Sequence, residues 1–366
     1  MAQMLADSRD ELLAEGVFRA PELERLFAPR KTGYLGADAA LSVPLPDGRT
    51  LWLFGDTLLG AMDGRIRTWT GMPRNSAVVL SPGDTAPEKV EWILRGSVEG
   101  RHPGFLNLPP EAGDQWFWPG TALCIGGELF VFGYGVTHGP GECEALAFLV
   151  VGPWLLRARD ISGPPEQWRF ECEPVTWGRE GDFFCSANIV DGGCLYLLGL
   201  TRRGKYWTRG VCARMARVRV DELLEHGAAC GAEVLLSAGP DAVWSDQDGD
   251  PAVLFEPGVT ESSLYFDAPR NRFLVTTYRP ARAEYLVSAA PRPEGPWSEP
   301  KVLFSPPEGI PREKHLFYAL RMHPHLARNP YEMVFTYIVN ARDPADLQTD
   351  AGIYYPRFVR ADLRRI

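Results

Sequence analysis

The sequence predicts an all-β protein, a five-bladed β-propeller with a short N-terminal helical extension, and three observations lead there. One hairpin-like pattern recurs five times, long helical periodicity is scarce after residue 27, and the 366-residue chain carries 37 Gly, 32 Pro and 11 Trp. Many short strands joined by Gly- and Pro-rich turns favour sandwiches, barrels and propellers over helical folds.

The first copy of the pattern, DAALSVPLPDGRTLWLFGDT from Asp38, alternates Leu41, Val43 and Leu45 with polar or small residues. It turns at Pro46-Asp47-Gly48 and returns through the apolar run of residues 51–54. The second copy is GTALCIGGELFVFGYG from Gly120, and the third is CSANIVDGGCLYLLGLT from Cys185. The fourth is SSLYFDAPRNRFLVTTY from Ser262, and the fifth is YALRMHPHLARNPYEMVFTYI from Tyr318. Copies recur every ~55 to 80 residues, which leaves room for two further strands in each. Radial four-stranded sheets whose innermost strands line a channel satisfy that grammar. A β-sandwich is the competing architecture, but it does not require hairpins with the same internal order. Residues 31–366 are therefore assigned to the propeller and residues 1–30 to the extension, in which MAQMLADSRDELLAEGVFRAPELERLF reads as an amphipathic helix. A second helical candidate is VDELLEHGAA near residue 220.

Hydrophobic residues at 45% and charged residues at 23% are ordinary for a globular protein with an ample core. A net charge of −9 and the lack of any basic or basic-aromatic run argue against nucleic acid and anionic membranes as partners. The amino terminus has no basic segment followed by an apolar stretch, so it reads as neither a signal peptide nor a membrane span. Seven cysteines, an odd number without CxxC spacing, read as free thiols of a reducing cytoplasm. The expected location is cytoplasmic, or exported if a leader has been removed. SDQDGDPAVLF, with Asp246, Asp248 and Asp250, lacks the downstream glutamate of an EF-hand and reads as a surface turn. Six histidines show no metal spacing, and no phosphate loop or nucleophile elbow occurs. Neither a metal nor a cofactor is expected.

The first hairpin holds the chemistry. A turn centred on Asp47 sets Val43 beside Leu51, Leu41 beside Leu53, and Asp38 beside Asp56. Directly opposed like charges destabilise a sheet by up to about 1 kcal/mol when exposed and more where water is excluded. Such a pair points to function. A turn centred between Asp47 and Gly48 would instead send the two side chains to opposite faces. Each aspartate could equally bond backbone N–H groups at a strand end. Arg74 and Asn75, in GMPRNSAVVL, precede another strand of this first unit, where Arg74 could hold Asp56 ionised while Asp38 titrates.

In a propeller the starts of the repeats converge on one mouth. That gathers Trp118, Ser186, Asn188, Glu261, His315, Tyr318 and Arg321, with Tyr278 at the end of copy four, as candidates to bind a polyhydroxylated ligand. Trp118 could stack on a sugar or pack between blades, and Ser186 could simply be a polar loop residue. Glu261 is either a general acid with a raised pKa or the salt-bridge partner of Arg74 or Arg321.

GADAALSVPLPDGRTLWLFGDTLLG, the RNS after it, the GPW of PEGPWSEPKVLF and YYPRFVRADL resemble a family of bacterial five-bladed propellers of formerly unknown function that includes endo-D-arabinanases. More broadly they are similar to furanosidase-type propeller glycoside hydrolases. The resemblance spans residues ~30 to 366 and is most specific at the D…LWLFGDT hairpin. It implies a hydrolase or transglycosidase acting on a furanoside-like, arabinan-type substrate, with Asp38 and Asp56 as the catalytic pair and Glu261 carried over less directly. Two other readings stay open: a cyclase or lyase of small-molecule biosynthesis using the same acids, and a non-catalytic carbohydrate-binding propeller.

Overall fold

Tight turns fix the register of the strands. Gly126–Gly127 (φ +59° and +85°) and Gly192–Gly193 (+54° and +80°) adopt the paired left-handed conformation that two-residue hairpin turns require. The computed structural model describes residues 11–94, 104–141, 143–201, 211–246, 249–308 and 312–366. Within them, each of the five sequence repeats supplies the first two strands of a separate antiparallel sheet.

The first sheet contains Leu41–Pro44, Thr50–Phe54 and Ser76–Leu80, and its hairpin continues into a three-stranded ribbon of Thr32–Ala37, Thr57–Asp63 and Ile66–Gly71. The second has four strands, Trp116–Ile125, Glu128–His138, Phe148–Ala158 and Glu171–Pro174. The third begins with Asp182–Asp191 and Cys194–Thr201 and adds three more. The fourth comprises Leu264–Asp267, Arg272–Arg279, Glu284–Ala290 and Lys301–Phe304. The fifth contains His315–Met322, Glu332–Ala341 and Arg357–Asp362.

Five apolar cores fill the spaces between successive sheets. Val43, Leu51, Phe117 and Val131 join the first to the second; Phe132, Phe183 and Leu197 join the second to the third; Leu198, Met215 and Val275 join the third to the fourth. Leu274, Tyr285, Phe335 and Tyr337 join the fourth to the fifth. The last core, with Phe27, Trp52, Phe54, Val334 and Phe358, joins the fifth back to the first. The sheets thus follow one another round a closed ring.

The amino-terminal segment closes that ring, and its structure corrects the expected helix. Val17–Arg19 pairs with Arg357–Asp362 and Leu12–Ala14 lies outside it, so the fifth sheet has five strands. Only Pro21–Glu24 forms a turn of α-helix, followed by a 3₁₀ turn to Phe27. Residues 1–10 of the expected helix lie outside the described residues. Gly16, at φ +76°, bends the chain back on itself. The otherwise unpaired edge of Arg357–Asp362 then offers main-chain hydrogen bonds that outweigh helical propensity. Phe27 wedges against Trp52 and Phe54, with ring centroids 4.9 and 5.0 Å away. At the same seam His323, fully buried, bridges Ser42 Oγ at 2.6 Å and Thr336 Oγ1 at 2.8 Å, and burial drives its pKa well below the ordinary value.

The second helical candidate forms Val220–His226. All seven cysteines are free thiols. Asp248 lies outside the described residues, among which no group of His, Cys, Asp or Glu is placed to hold a metal ion.

Candidate active site

The hairpin pairs Leu41 with Leu53 and Val43 with Leu51 on one side, and Ala37 with Thr57 on the other. The register is the same on both sides of a gap that holds Asp38 and Asp56, and within the gap Gly55 N–H bonds the Asp38 carbonyl. The ladder breaks there because Ala39 and Ala40 both take left-handed φ values, +65° and +52°. Such conformations cost an alanine roughly 1–2 kcal/mol each, and strain of this kind concentrates at functional sites. The Asp38 carbonyl collects the freed donors, Gly55 N–H at 3.2 Å and Ala40 N–H at 2.9 Å. Glycine at 55 leaves room for that carboxyl, since a Cβ at that position would lie 2.2 Å from Asp38 Oδ1.

The two carboxylates have different surroundings. Asp56 accepts from Arg74 Nη1 at 3.2 Å and Trp118 Nε1 at 3.0 Å, with its side chain 15% exposed. Burial raises its pKa, and Arg74 and Trp118 limit the rise to about 6. The Arg74 guanidinium lies 4.2 Å over the Trp116 ring, and Tyr354 donates to the Asp56 carbonyl at 2.9 Å. Asp38 has no cationic partner among the groups that set its pKa. Burial first, then the negative charges of Glu261 and Asp56, hold its carboxyl well above the usual range, against a 2.8 Å hydrogen bond from Tyr318. Glu261 is pushed up by burial and pulled back by Arg321, whose Nη2 is 4.0 Å away.

A carboxyl that keeps its proton beside one that loses it near pH 6 is the division an acid paired with a base or nucleophile requires. Tyr318 completes the cluster, with Asn340 donating to its hydroxyl at 3.1 Å. Trp116, Trp118 and Phe148 form a partly exposed aromatic wall next to Asp56, the last two edge to face at 4.7 Å.

Several candidates do other work. Asn75 is 1% exposed and spends its amide on the backbone of Leu106 and Phe117, so it braces a loop and has no group left for a ligand. Arg321, also 1% exposed, donates to the carbonyls of Gly120 (2.6 Å), Ser186 (3.0 Å) and Ser262 (2.5 Å). It pins the second, third and fourth sheets from the fifth. Ser186 is fully buried under it. Asn188 ties the third sheet to Thr121 and Ala122 of the second. Tyr278 lies near Glu261 but is packed into the core between the fourth and fifth sheets. His315 stands three residues before Tyr318 on its strand, ~10 Å away at strand spacing.

Trp116 and Asn340 were not marked by the sequence, and Tyr354 entered only as the first residue of the YYPRFVRADL stretch, with no role in the site. Trp116 sits two positions before Trp118, on the same face of its strand, and that spacing is a usable signal. The other two reach the site only through ring closure.

The family model described as "Domain of unknown function (DUF5005)" matches residues 22–362, so the chain belongs to that family. No curated protein matches it in sequence. Among solved structures, a candidate hydrolase from Bacteroides ovatus is similar in fold, with a TM-score of 0.73 at 18% identity over 97% of this chain and 95% of that one. The GH43_1 enzyme from Xanthomonas citri complexed with xylotriose aligns with a TM-score of 0.51 at 13% identity, covering 94% of this chain and 93% of its own. The same enzyme complexed with xylose gives 0.50 at 14%, with 93% and 92% covered. The GH43 enzymes are five-bladed propeller glycoside hydrolases.

Proposed function

Starting from this family and this ring of sheets, we propose that the chain is a five-bladed β-propeller glycoside hydrolase that cleaves a furanoside, of the arabinan type, with Asp38 and Asp56. The observation that carries the reading is the pair itself: two carboxyls at the base of one hairpin, one paired with Arg74 and one beside, among the described residues, the like charges of Glu261 and Asp56. The resemblance of the D…LWLFGDT hairpin to that of endo-D-arabinanases supports the substrate class. An oligosaccharide ligand on a relative of the same fold supports it more broadly.

In this reading Asp38 is the general acid and Asp56 the nucleophile. Asp38 gives its proton to the glycosidic oxygen as the C1–O bond breaks, and an Asp56 oxygen bonds to C1, forming a glycosyl ester. Water then attacks C1, loses a proton to Asp38 and frees the Asp56 carboxylate, so the anomeric configuration is retained. Retention calls for the two carboxyl groups to lie about 5–5.5 Å apart. Glu261 is a third carboxylate whose charge keeps the proton on Asp38. The aromatic wall offers apolar faces for the sugar rings.

The test is hydrolysis of aryl arabinofuranosides and arabinan oligosaccharides by the wild type, Asp38→Asn and Asp56→Asn. The wild type is expected to release sugar, and each variant to lose roughly 10²–10⁴ of the rate. Activity surviving in both variants removes the reading. The aromatic wall also suits a non-sugar ring, and turnover confined to such substrates would favour a cyclase or lyase.

A further inference from the structure

The Tyr318 hydroxyl has one proton to give, and its neighbours decide its direction. Its oxygen lies 2.8 Å from Asp38 Oδ2 and 3.1 Å from Asn340 Nδ2. The other end of the Asn340 amide, Oδ1, accepts the Ala341 N–H at 2.8 Å, which turns the NH₂ group toward Tyr318. An amide NH₂ only donates, so the tyrosine oxygen accepts from Asn340 and its single proton goes to Asp38 Oδ2. Strand register builds this arrangement. Tyr318 pairs with Ile338 across the fifth sheet, and Asn340 is two residues further along the same strand face. Burial and the nearby carboxylates hold the phenol well above its ordinary pKa, so it stays a neutral donor.

With Oδ2 committed as an acceptor, a proton on Asp38 belongs on Oδ1, the oxygen that faces Gly55. We propose that Asn340 is a positioning residue of the reaction: it makes Tyr318 a one-way donor to Asp38 Oδ2 and so confines the transferable proton to Asp38 Oδ1. This rests on the reading of Asp38 as general acid. Asn340 touches neither substrate nor Asp38 and acts entirely through Tyr318.

A double-mutant cycle tests that dependence. Kinetics on an aryl furanoside would be measured for Tyr318→Phe, Asn340→Leu and the double variant. Tyr318→Phe is expected to lower kcat about ten- to hundredfold, the span of one hydrogen bond to a charged group. Asn340→Leu should lower kcat by about threefold or more in the wild type and by less than about twofold in the Tyr318→Phe background, with KM unchanged. Equal costs in the two backgrounds, or no cost in either, overturn the proposal.

A second readout does not need turnover. The infrared C=O stretch of the protonated Asp38 carboxyl, identified by its loss in Asp38→Asn, should shift in the same direction in Tyr318→Phe and Asn340→Leu. A wild type that cleaves no glycoside would sink the functional reading alone. The infrared band would then decide this one: a band unmoved by Asn340→Leu, or no such band in the wild type, contradicts it.

Discussion

Replacing Arg74 by glutamine removes the one cation among the described residues that touches Asp56, 3.2 Å from Oδ2, while keeping much of the side-chain volume over Trp116. In the wild type, burial raises the Asp56 carboxyl and Arg74 is the largest opposing influence, leaving it at about 6. An adjacent cation lowers an aspartate by about 1–3 pKa units, so its loss should leave Asp56 at roughly 7–9. At pH 7 the ionised fraction would fall from roughly 90% to between about 50% and 1%. The nucleophile must be ionised, so kcat/KM at pH 7 should drop by about twofold to a hundredfold and recover as pH rises. The sign is fixed: a raised pKa moves the acidic limb of the pH–rate profile toward alkaline pH. The assay is kcat/KM for an aryl furanoside from pH 5 to 9. An acidic limb that stays at about 6 in Arg74→Gln would refute the assignment of Asp56 as the ionised partner.

Other outcomes follow from the same geometry. Asp38→Asn should cost roughly 10²–10⁴ of the rate yet raise the melting temperature at pH 7. The native Asp38 pKa lies above its unfolded value, so ionised Asp38 costs the fold stability as pH rises, and asparagine removes that cost. Gly55→Ala drives a methyl into Asp38 Oδ1 and should cost roughly 10² in kcat with little change in far-ultraviolet circular dichroism. His323 has a folded pKa below its unfolded one, so its contribution to stability is fully present above about pH 6.5 and falls by about 1.4 kcal/mol per pH unit below it. In urea titrations between pH 5 and 8, His323→Gln should show a shallower acid dependence.

The hairpin register and the place of Arg74 were legible because both are local. Pro46-Asp47-Gly48 fixes the turn, and Arg74 lies two residues before Ser76, which pairs with Phe54, two residues before Asp56. Arg321 and Asn75 are spent on backbone groups because strand ends at the centre of a ring leave carbonyls and N–H groups without ladder partners. The polar residue types that bind sugars satisfy those groups equally well. Asn340 carries no local motif and Tyr354 lies in a stretch that names no role, and both reach the hairpin only because the fifth sheet closes on the first. The amino-terminal strands misread as helix for the same reason, since their partner edge is formed more than 300 residues later.

The most direct measurement is trapping with an activated 2-deoxy-2-fluoro furanoside, followed by peptide mass mapping. The account predicts one covalent glycosyl adduct, on Asp56, absent in Asp56→Asn. Turnover of furanosides without any adduct and with inverted product, or an adduct on Asp38 or Glu261, would contradict it.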